Sequence, residues 1–253
     1  MRLKEQVAIV TGAARGMGQE FCLALAREGA KIVAADLLAC DETIAKVQEI
    51  GGECYEITCN IAQTASTQEL ADKTLRQFGR IDILVNNAAM IASLKLTPFE
   101  QITEEEWDQV MAVNVKGMWL CCKAVVPIMR QQGKGKIINI SSDTIWVGTP
   151  MLLHYVSSKG AIFAFTRSLA RELSGTNINV NAITPGFSQT DATKNLADPA
   201  TMEFIQNLSL NMQIVKRPEK PADLAGAVLF LASADSDFIT GQTLNVNGGA
   251  THY

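Results

Sequence analysis

Tyr155 and Lys159 stand four residues apart, and Ser142 lies thirteen residues before the tyrosine, just past the apolar run Lys136 to Ile140. On a helix, residues four apart leave the same face about one turn from each other. An ammonium held near a phenol favours the phenolate and lowers a pKa that is normally about 10. That arrangement makes tyrosine an acid/base group usable at neutral pH. A Tyr-x-x-x-Lys pair also occurs on ordinary helix surfaces, so the surrounding elements must decide whether it is a site.

The clearest of those elements opens the chain. Val7 to Val10 is a short β-branched run of the kind buried on both faces of a parallel sheet. Thr11 to Gly18, TGAARGMG, follows it, then a helical pattern from Gln19 to Arg27 closed by Gly29, then a second apolar run from Lys31 to Ala35 ending in Asp36. A strand, a glycine-rich turn, a helix and a strand ending in an acid within about 30 residues is the layout of a dinucleotide-binding βαβ unit. Gly12 permits the tight turn, while Gly16 and Gly18 allow backbone close to a pyrophosphate and helix close to strand. The helix N-terminus then offers free N–H groups to the phosphates. Asp36 predicts NAD: a carboxylate there accepts from both ribose hydroxyls and repels a 2′-phosphate. Arg15 argues for a phosphate, but it does not remove that repulsion, and Leu37 adds no second positive charge.

Further along, Asp41 to Ile50 reads as a helix stopped by Gly51-Gly52, and Cys54 to Thr58 as a strand followed by Cys59-Asn60-Ile61. Ser66 to Phe78 reads as a helix. Ile81 to Val85 is a buried strand running into Asn86-Asn87-Ala88-Ala89, where α/β sheets bind ligands. Pro98 to Ile102 is irregular. From Thr103-Glu104-Glu105-Glu106 a long apolar helix runs to Arg130, interrupted by Asn114 and Gly117 and carrying Pro127. Lys136 to Ile140 is the strand leading to Ser142, Tyr155 to Leu173 a helix, and Asn177 to Ile183 a strand broken by Pro185-Gly186. Ser188 to Met212 reads as a polar, mobile segment over a site. Pro221 to Ala232 is a short helix and Thr243 to Val246 a last strand. The alternation predicts an α/β chain, one Rossmann-type doubly wound parallel sheet of about seven strands, forming a single domain over 1–253 with a substrate loop near 188–217.

Bulk composition narrows the function classes. The chain has 253 residues, 47% of them hydrophobic, which suffices for one large core, and no linker divides it. A net charge of −4 leaves no basic footprint for nucleic acid. MRLKEQVAIVTG lacks the apolar stretch of a secretory signal, and no unbroken apolar run reaches the length of a membrane span, so a cytoplasmic protein is expected. Six cysteines show no metal-ligand spacing and there are only two histidines, so reduced thiols and no metal are expected.

Taken in order, these segments resemble the short-chain dehydrogenases/reductases in their compact form of roughly 250 residues. TGAARGMG is similar to that family's cofactor loop, NNAA to its NNAG strand end, Pro185-Gly186 to its PG motif, and ITGQTLNVNGG to the C-terminal strand of its acyl-carrier-protein reductase branch. Asn114, Ser142, Tyr155 and Lys159 stand at the spacing of the family's catalytic four. The resemblance implies that NAD lies across the sheet edge, touching Gly12, Arg15, Gly16, Met17, Gly18, Asp36, Leu37, Asn60, Ile61, Asn87, Ala88, Tyr155, Lys159, Pro185, Gly186 and Thr190. It implies that Tyr155 exchanges a proton with substrate, that Lys159 lowers the tyrosine pKa and binds the nicotinamide ribose, that Ser142 holds the substrate oxygen, and that Asn114 orders a water. Ala89 and Asn60 depart from the pattern, standing where glycine and aspartate are usual. His154, although next to Tyr155, leaves the helix in another direction and is read as a bystander.

The expected substrate wall is Ser142, Thr144, Trp146, Met151, Leu152, Tyr155 and Phe187, with Met212 beside it. It is largely apolar and has no arginine to grip a carboxylate or phosphate. That predicts a small-molecule secondary alcohol, alicyclic or aromatic, and its ketone, or an aromatic alcohol and its aldehyde. Within the family the HYxSxK, SDTxxxGTP and FITGQTLNV stretches loosely resemble those of the pyridoxal and 1-phenylethanol dehydrogenases. A second enzyme reading is a 3-oxoacyl-acyl-carrier-protein reductase. The resemblance implies NADPH and a basic docking surface for that activity, against which Asp36 and the −4 charge argue. A third is a non-catalytic NAD-sensing or scaffold protein, against which the intact Asn114, Ser142, Tyr155 and Lys159 argue. The apolar outer faces of the helices Glu104 to Arg130 and Tyr155 to Leu173, together with the resemblance, predict a homotetramer.

Overall fold

Strand β1, Val7–Thr11, is buried along its whole length, and so is β4, Ile83–Asn86, which pairs with it. Runs of Val, Ile and Leu covered on both faces force a parallel sheet with helices above and below. The computed structural model describes residues 1–188, 190, 193 and 196–252. In chain order the elements are β1, α1 (Gly16–Arg27), β2 (Lys31–Asp36), α2 (Asp41–Glu49), β3 (Cys54–Thr58), α3 (Thr64–Phe78), β4, α4 (Glu104–Met111), a π turn (Ala112–Gly117), α5 (Met118–Gln132) and β5 (Gly135–Ile140). Then follow α6 (Thr144–Val147), α7 (Leu153–Glu172), β6 (Ile178–Pro185), α8 (Pro199–Met212), α9 (Pro221–Ala232) and β7 (Thr243–Val246).

The seven strands lie in the order β3-β2-β1-β4-β5-β6-β7, all parallel. The chain runs outward one way from β1 through β2 to β3, then crosses back to β4 and outward the other way. That reversal opens a crevice at the C-terminal ends of β1 and β4, where such sheets bind ligands. One core fills the face under α1, α2 and α9 around Phe21, Leu25, Val47, Leu224 and Val228. The other fills the face under α3 and α5, around Leu70, Cys121, Val125 and Met129. The cysteines are all free thiols, and five of them are buried. Among the described residues no group of metal-ligating side chains exists.

Two sequence expectations change. The helix expected from Thr103 to Arg130 is not uniform: it widens into the π turn at Asn114 and then continues as α5 past Pro127 to Gln132. A π turn skips the regular bonding step and leaves room for a side chain or a second partner inside the helix, so the discontinuity falls at the asparagine and not at the proline. The whole stretch Glu104–Gln132 is long and apolar enough to cross a membrane by length and composition, yet half of its apolar window is buried within the protein. The second change concerns Ser188 to Met212, read as mobile. Fourteen of its residues form α8, started by Asp198, whose side chain accepts from the Ala200 and Thr201 N–H groups, and by Pro199 in the first turn. Gln189, Asp191, Ala192, Lys194 and Asn195 lie outside the described residues.

A buried polar chain fixes α7 on the sheet. Asn86 Nδ2 donates to Asn139 Oδ1 at 2.9 Å, Asn139 Nδ2 donates to Thr166 Oγ1 at 3.0 Å, and Thr166 Oγ1 donates to the Ile162 carbonyl at 2.8 Å. Asn139→Ala removes two buried bonds, leaving Asn86 Nδ2 only the Cys122 sulfur at 3.4 Å and Thr166 only its Ile162 bond, and each lost bond costs about 0.5–1.5 kcal/mol. Urea unfolding of this variant is expected to show a loss of about 2–3 kcal/mol. A loss below about 0.5 kcal/mol would show the chain to be dispensable.

Candidate active site

One cavity of about 620 Å³ runs along the C-terminal edge of the sheet, from Asp36 and Leu38 past Gly12, Met17 and Asn87 to Ser142, Tyr155 and Lys159. Its first limb is shaped by backbone. A Cβ on Gly18 would lie 2.0 Å from the Gly12 carbonyl oxygen, and one on Gly12, whose φ is +68°, would lie 2.8 Å from Ala88 Cα. Only glycine lets these segments approach. Asn87 locks them together: its Nδ2 donates to the carbonyls of Thr11 and Gly12 at 3.0 and 3.1 Å. No side chain caps the start of α1, and Gly16 and Met17 line the cavity there. The helix end therefore offers amides and a positive dipole to an anion. Asp36 closes the limb, its two oxygens accepting from Ala14 N–H and Leu38 N–H, both at 3.0 Å. Uncapped amides, absent side chains and a fixed carboxylate at this spacing fit a dinucleotide with its ribose on Asp36.

The second limb holds Ser142, Tyr155 and Lys159. Lys159 is 3% exposed, and its Nζ donates to the Ile140 carbonyl at 2.8 Å while lying 5.5 Å from the centre of the Tyr155 ring. Tyr155 shares a side-chain hydrogen bond with Ser142. Asn114 is 1% exposed and does not reach the cavity wall. Its Oδ1 accepts from Met90 N–H at 2.7 Å and its Nδ2 donates to Ser158 Oγ at 3.0 Å, while Ser158 Oγ donates to the Tyr155 carbonyl at 2.7 Å. The π turn thus ties the loop after β4 to the first turns of α7. His154, fully buried on another side of α7, meets Glu106 of α4 with 3.1 Å between Nε2 and Oε1.

The electrostatics differ from the expectation. Burial pushes the Tyr155 phenol well above its ordinary value and the Asp143 charge adds to this, against the Ser142 hydrogen bond. Lys159 does not offset that, because burial drives its own ammonium down to about 7 and its Nζ is engaged by Ile140. In this structure the lysine is therefore a group that titrates near neutrality, not a fixed positive charge beside the phenol. Asp143, hydrogen-bonded to Asn247, is raised by burial to about 6.

The cavity gathers Gly12, Arg15, Gly16, Met17, Asp36, Leu37, Asn60, Ile61, Asn87, Ala88, Ser142, Tyr155, Lys159, Pro185, Gly186 and Thr190. Gly18 lies beneath it, packed on Gly12, and Asn60 Oδ1 accepts from Ala62 N–H in its own loop. Of the expected substrate wall, Thr144, Met151, Leu152, Phe187 and Met212 line it. Trp146 does not: its ring packs edge-on against Phe163 of α7 at 5.2 Å, and Val147 takes the place on the wall. Phe204 and Leu208 of α8 and Leu96 after β4 also line it and were not singled out from sequence. The first two were readable in principle, because Asp198-Pro199 is a helix start and Phe204, Leu208 and Met212 recur every four residues.

Comparison with known proteins bears on both limbs. A family model described as "Enoyl-(Acyl carrier protein) reductase", of the short-chain alcohol dehydrogenase type, matches residues 12–251. The chain belongs to the short-chain dehydrogenase/reductase family. Among curated members of that family it is 36% identical to the 3-oxoacyl-acyl-carrier-protein reductase of Thermotoga maritima, over 98% of this chain and 99% of that one. It is 38% identical to the reductase of the same name from Synechocystis, over 98% and 97%. Among solved structures, levodione reductase covers 100% of both chains with a TM-score of 0.94 and 28% identity. A protein of Sinorhizobium meliloti assigned as a short-chain alcohol dehydrogenase covers 98% and 97% with a TM-score of 0.91 and 32% identity. The curated names favour the acyl-carrier-protein reductase reading over the alcohol dehydrogenase one. At the family level the chain is a short-chain dehydrogenase/reductase oxidoreductase with a nicotinamide cofactor.

The buried Lys159 carries a stability signature. Its folded-state pKa of about 7 lies below its ordinary 10.5. Its contribution is therefore present above the ordinary value and lost as pH falls through about 7, because the unfolded chain binds a proton that the folded one rejects. Lys159→Met, of similar shape and without a charge, is expected to gain melting temperature over the parent at pH 6. The gain should shrink steadily as pH rises towards 10. A gap that is constant across this range would mean that the lysine is not shifted.

Proposed function

We propose that this chain is an NAD-dependent dehydrogenase/reductase that interconverts an apolar secondary alcohol, alicyclic or aromatic, and its ketone, or an aromatic alcohol and its aldehyde. The observation that carries the reading is the second limb of the cavity: Val147, Met151, Leu152, Phe187, Leu208 and Met212 surround Ser142 and Tyr155. Such a wall takes an apolar ring by area and leaves the carbinol oxygen to two hydroxyls. Asp36 supports NAD over NADP, because both its oxygens are held in place by backbone N–H groups and its charge would face a 2′-phosphate.

When bound, the nicotinamide supplies the acceptor or donor of a hydride. Tyr155 Oη exchanges the proton: in oxidation its phenolate takes the alcohol O–H proton, and in reduction its phenol returns one to the carbonyl oxygen. Ser142 Oγ, hydrogen-bonded to that tyrosine, holds the substrate oxygen beside it. Lys159, poised near neutrality and one turn along α7, lends charge to the phenolate once a partner draws it from Ile140. Asn114 acts on the far side of α7, fixing the Tyr155 peptide through Ser158 and ordering a water for proton exit. A non-catalytic, NAD-sensing role would not need this set intact.

The curated relatives favour a second reading, reduction of a 3-oxoacyl group carried on acyl carrier protein. A panel of cyclic and aryl ketones, and of a 3-oxoacyl thioester, run with NADH and NADPH in parallel, separates the two. Turnover of the ketones with NADH supports the first. Turnover of the thioester alone, with NADPH, replaces it with the second. Tyr155→Phe is expected to lower kcat by about 10²–10⁴-fold while NADH binding stays. Undiminished turnover in that variant would remove the assigned mechanism. We also propose a homotetramer formed through the faces carrying Trp107, Trp119 and Leu153, which are half-exposed. Light scattering is expected to give four times the chain mass, and a monomeric mass would refute it.

A further inference from the structure

The Pro185-Gly186 turn at the end of β6 is held from three sides. The Asp143 N–H, next to Ser142, donates to the Pro185 carbonyl at 2.9 Å. The Gly186 N–H donates to the Val246 carbonyl at 3.1 Å and to Glu219 Oε2 at 3.0 Å. A Cβ on Gly186 would lie 2.8 Å from that same Glu219 oxygen and 2.9 Å from Asn247 Cβ, so the carboxyl fills the space against the turn. Glu219 is 5% exposed, and its Oε1 is buried without a hydrogen-bond partner among the described residues. Its backbone also bridges to Ser188, two residues past Gly186. The segment that contains it, after α8, is stitched to the sheet once more where the Ile214 and Val215 N–H groups both donate to the Gly248 carbonyl, at 2.8 and 2.9 Å.

We propose that Glu219 is a positioning residue: its carboxyl, set against the Gly186 N–H, seats the Pro185–Phe187 turn against the Tyr155 end of the cavity and couples the outlet of α8 to that turn. The proposal rests on the reading of this cavity as the cofactor and substrate site. A buried carboxyl that accepts one backbone N–H and leaves its other oxygen unpaired is better accommodated neutral than charged. The charged and titratable groups facing it are Asp143 from the loop after β5, Asp223 from the first turn of α9, and Arg217. Arg217 is already bound at both ends of the Asp223 carboxylate, at 2.6 Å each. Burial and the two acids therefore outweigh the Gly186 N–H and Arg217, and Glu219 is raised to about 8. Asp143, at about 6, ionises first. Above about 8 Glu219 joins Asp143 and the Arg217-paired Asp223 as a third carboxylate behind the turn, and their repulsion loosens its seat.

The test uses the full chain, with NADH binding read by nicotinamide fluorescence between pH 6.5 and 9.5 and thermal unfolding read alongside. The parent protein is expected to bind NADH more weakly as pH rises through about 8. Glu219→Gln, which keeps an acceptor for Gly186 but cannot ionise, is expected to hold its affinity across that range. Glu219→Ala is expected to raise the Kd for NADH about tenfold at pH 7. Unfolding adds a readout independent of function. A folded pKa above the ordinary 4.5 costs stability as pH rises from 4.5 to about 8, so the melting temperature of Glu219→Gln should gain on the parent over that interval. Equal affinities and parallel pH courses for all three proteins would overturn the proposal. If the parent fails to bind any nicotinamide dinucleotide, the reading of the cavity fails instead, and the melting curves alone then decide whether Glu219 titrates as stated.

Discussion

A buried amine must have an acceptor, and for Lys159 that acceptor is the last carbonyl of β5. Much of the reactive end follows from this one contact. The Ser141 hydroxyl donates back to the Lys159 carbonyl at 2.8 Å, so strand end and helix hold each other by two hydrogen bonds running in opposite senses. With α7 fixed there, Tyr155, one turn earlier, is brought to Ser142, one residue further along. The same burial that secures the clamp withdraws water from the ammonium and lowers its pKa. Fixing the helix and tuning the lysine are thus one physical event.

Polar side chains do comparable positioning elsewhere inside an apolar fold. Asn86, Asn139 and Thr166 link β4, β5 and α7. Asn114 links the π turn, the loop after β4 and Ser158. Apolar residues of equal volume could make the sheet as stable, since a hydrogen bond contributes only about 1 kcal/mol net. They would leave α7 free to shift along the strands without losing partners. A hydrogen bond has one geometry, so a shift of one residue leaves buried groups unsatisfied. These networks therefore fix register, and register places the reactive groups.

Much of this was legible in the sequence, because it depends on residue types with few substitutes. Only glycine fits where the Gly12 carbonyl crowds Gly18, and a carboxylate at the end of β2 carries one electrostatic meaning. The five inner strands are visible as runs buried on both faces, whereas the edge strands β3 and β7 are only partly buried. What was not legible depends on geometry among interchangeable residues. The apolar pattern around Asn114 reads the same for an α and a π turn, since the change is one skipped bond. Trp146 was placed on the substrate wall by proximity in sequence, yet the four-residue helix α6 turns it onto Phe163. The Asp198-Pro199 signal was present but was outweighed by the polar composition of the segment around it. The tyrosine's ionisation is not legible either, because sequence reports that a lysine is near, not that burial acts on both partners.

The two limbs of the cavity thus carry different amounts of information. The limb at Asp36 is shaped by backbone that leaves no room for a Cβ at Gly12 or Gly18, and by one carboxylate fixed by two N–H groups. The substrate limb is made of side-chain methyls and rings from the stretch between α6 and α7 and from α8. An apolar pocket distinguishes ligands differing by one methylene by only about 1–3 kcal/mol, so such walls can be exchanged residue by residue without disturbing the chemistry proposed for Tyr155. This is why relatives with one fold, and about a third of their residues in common with this chain, bear names as different as an acyl-carrier-protein reductase and a levodione reductase. The reaction is set by a few polar atoms held in register; the substrate is set by volume, and volume is what a framework of this kind leaves free to vary.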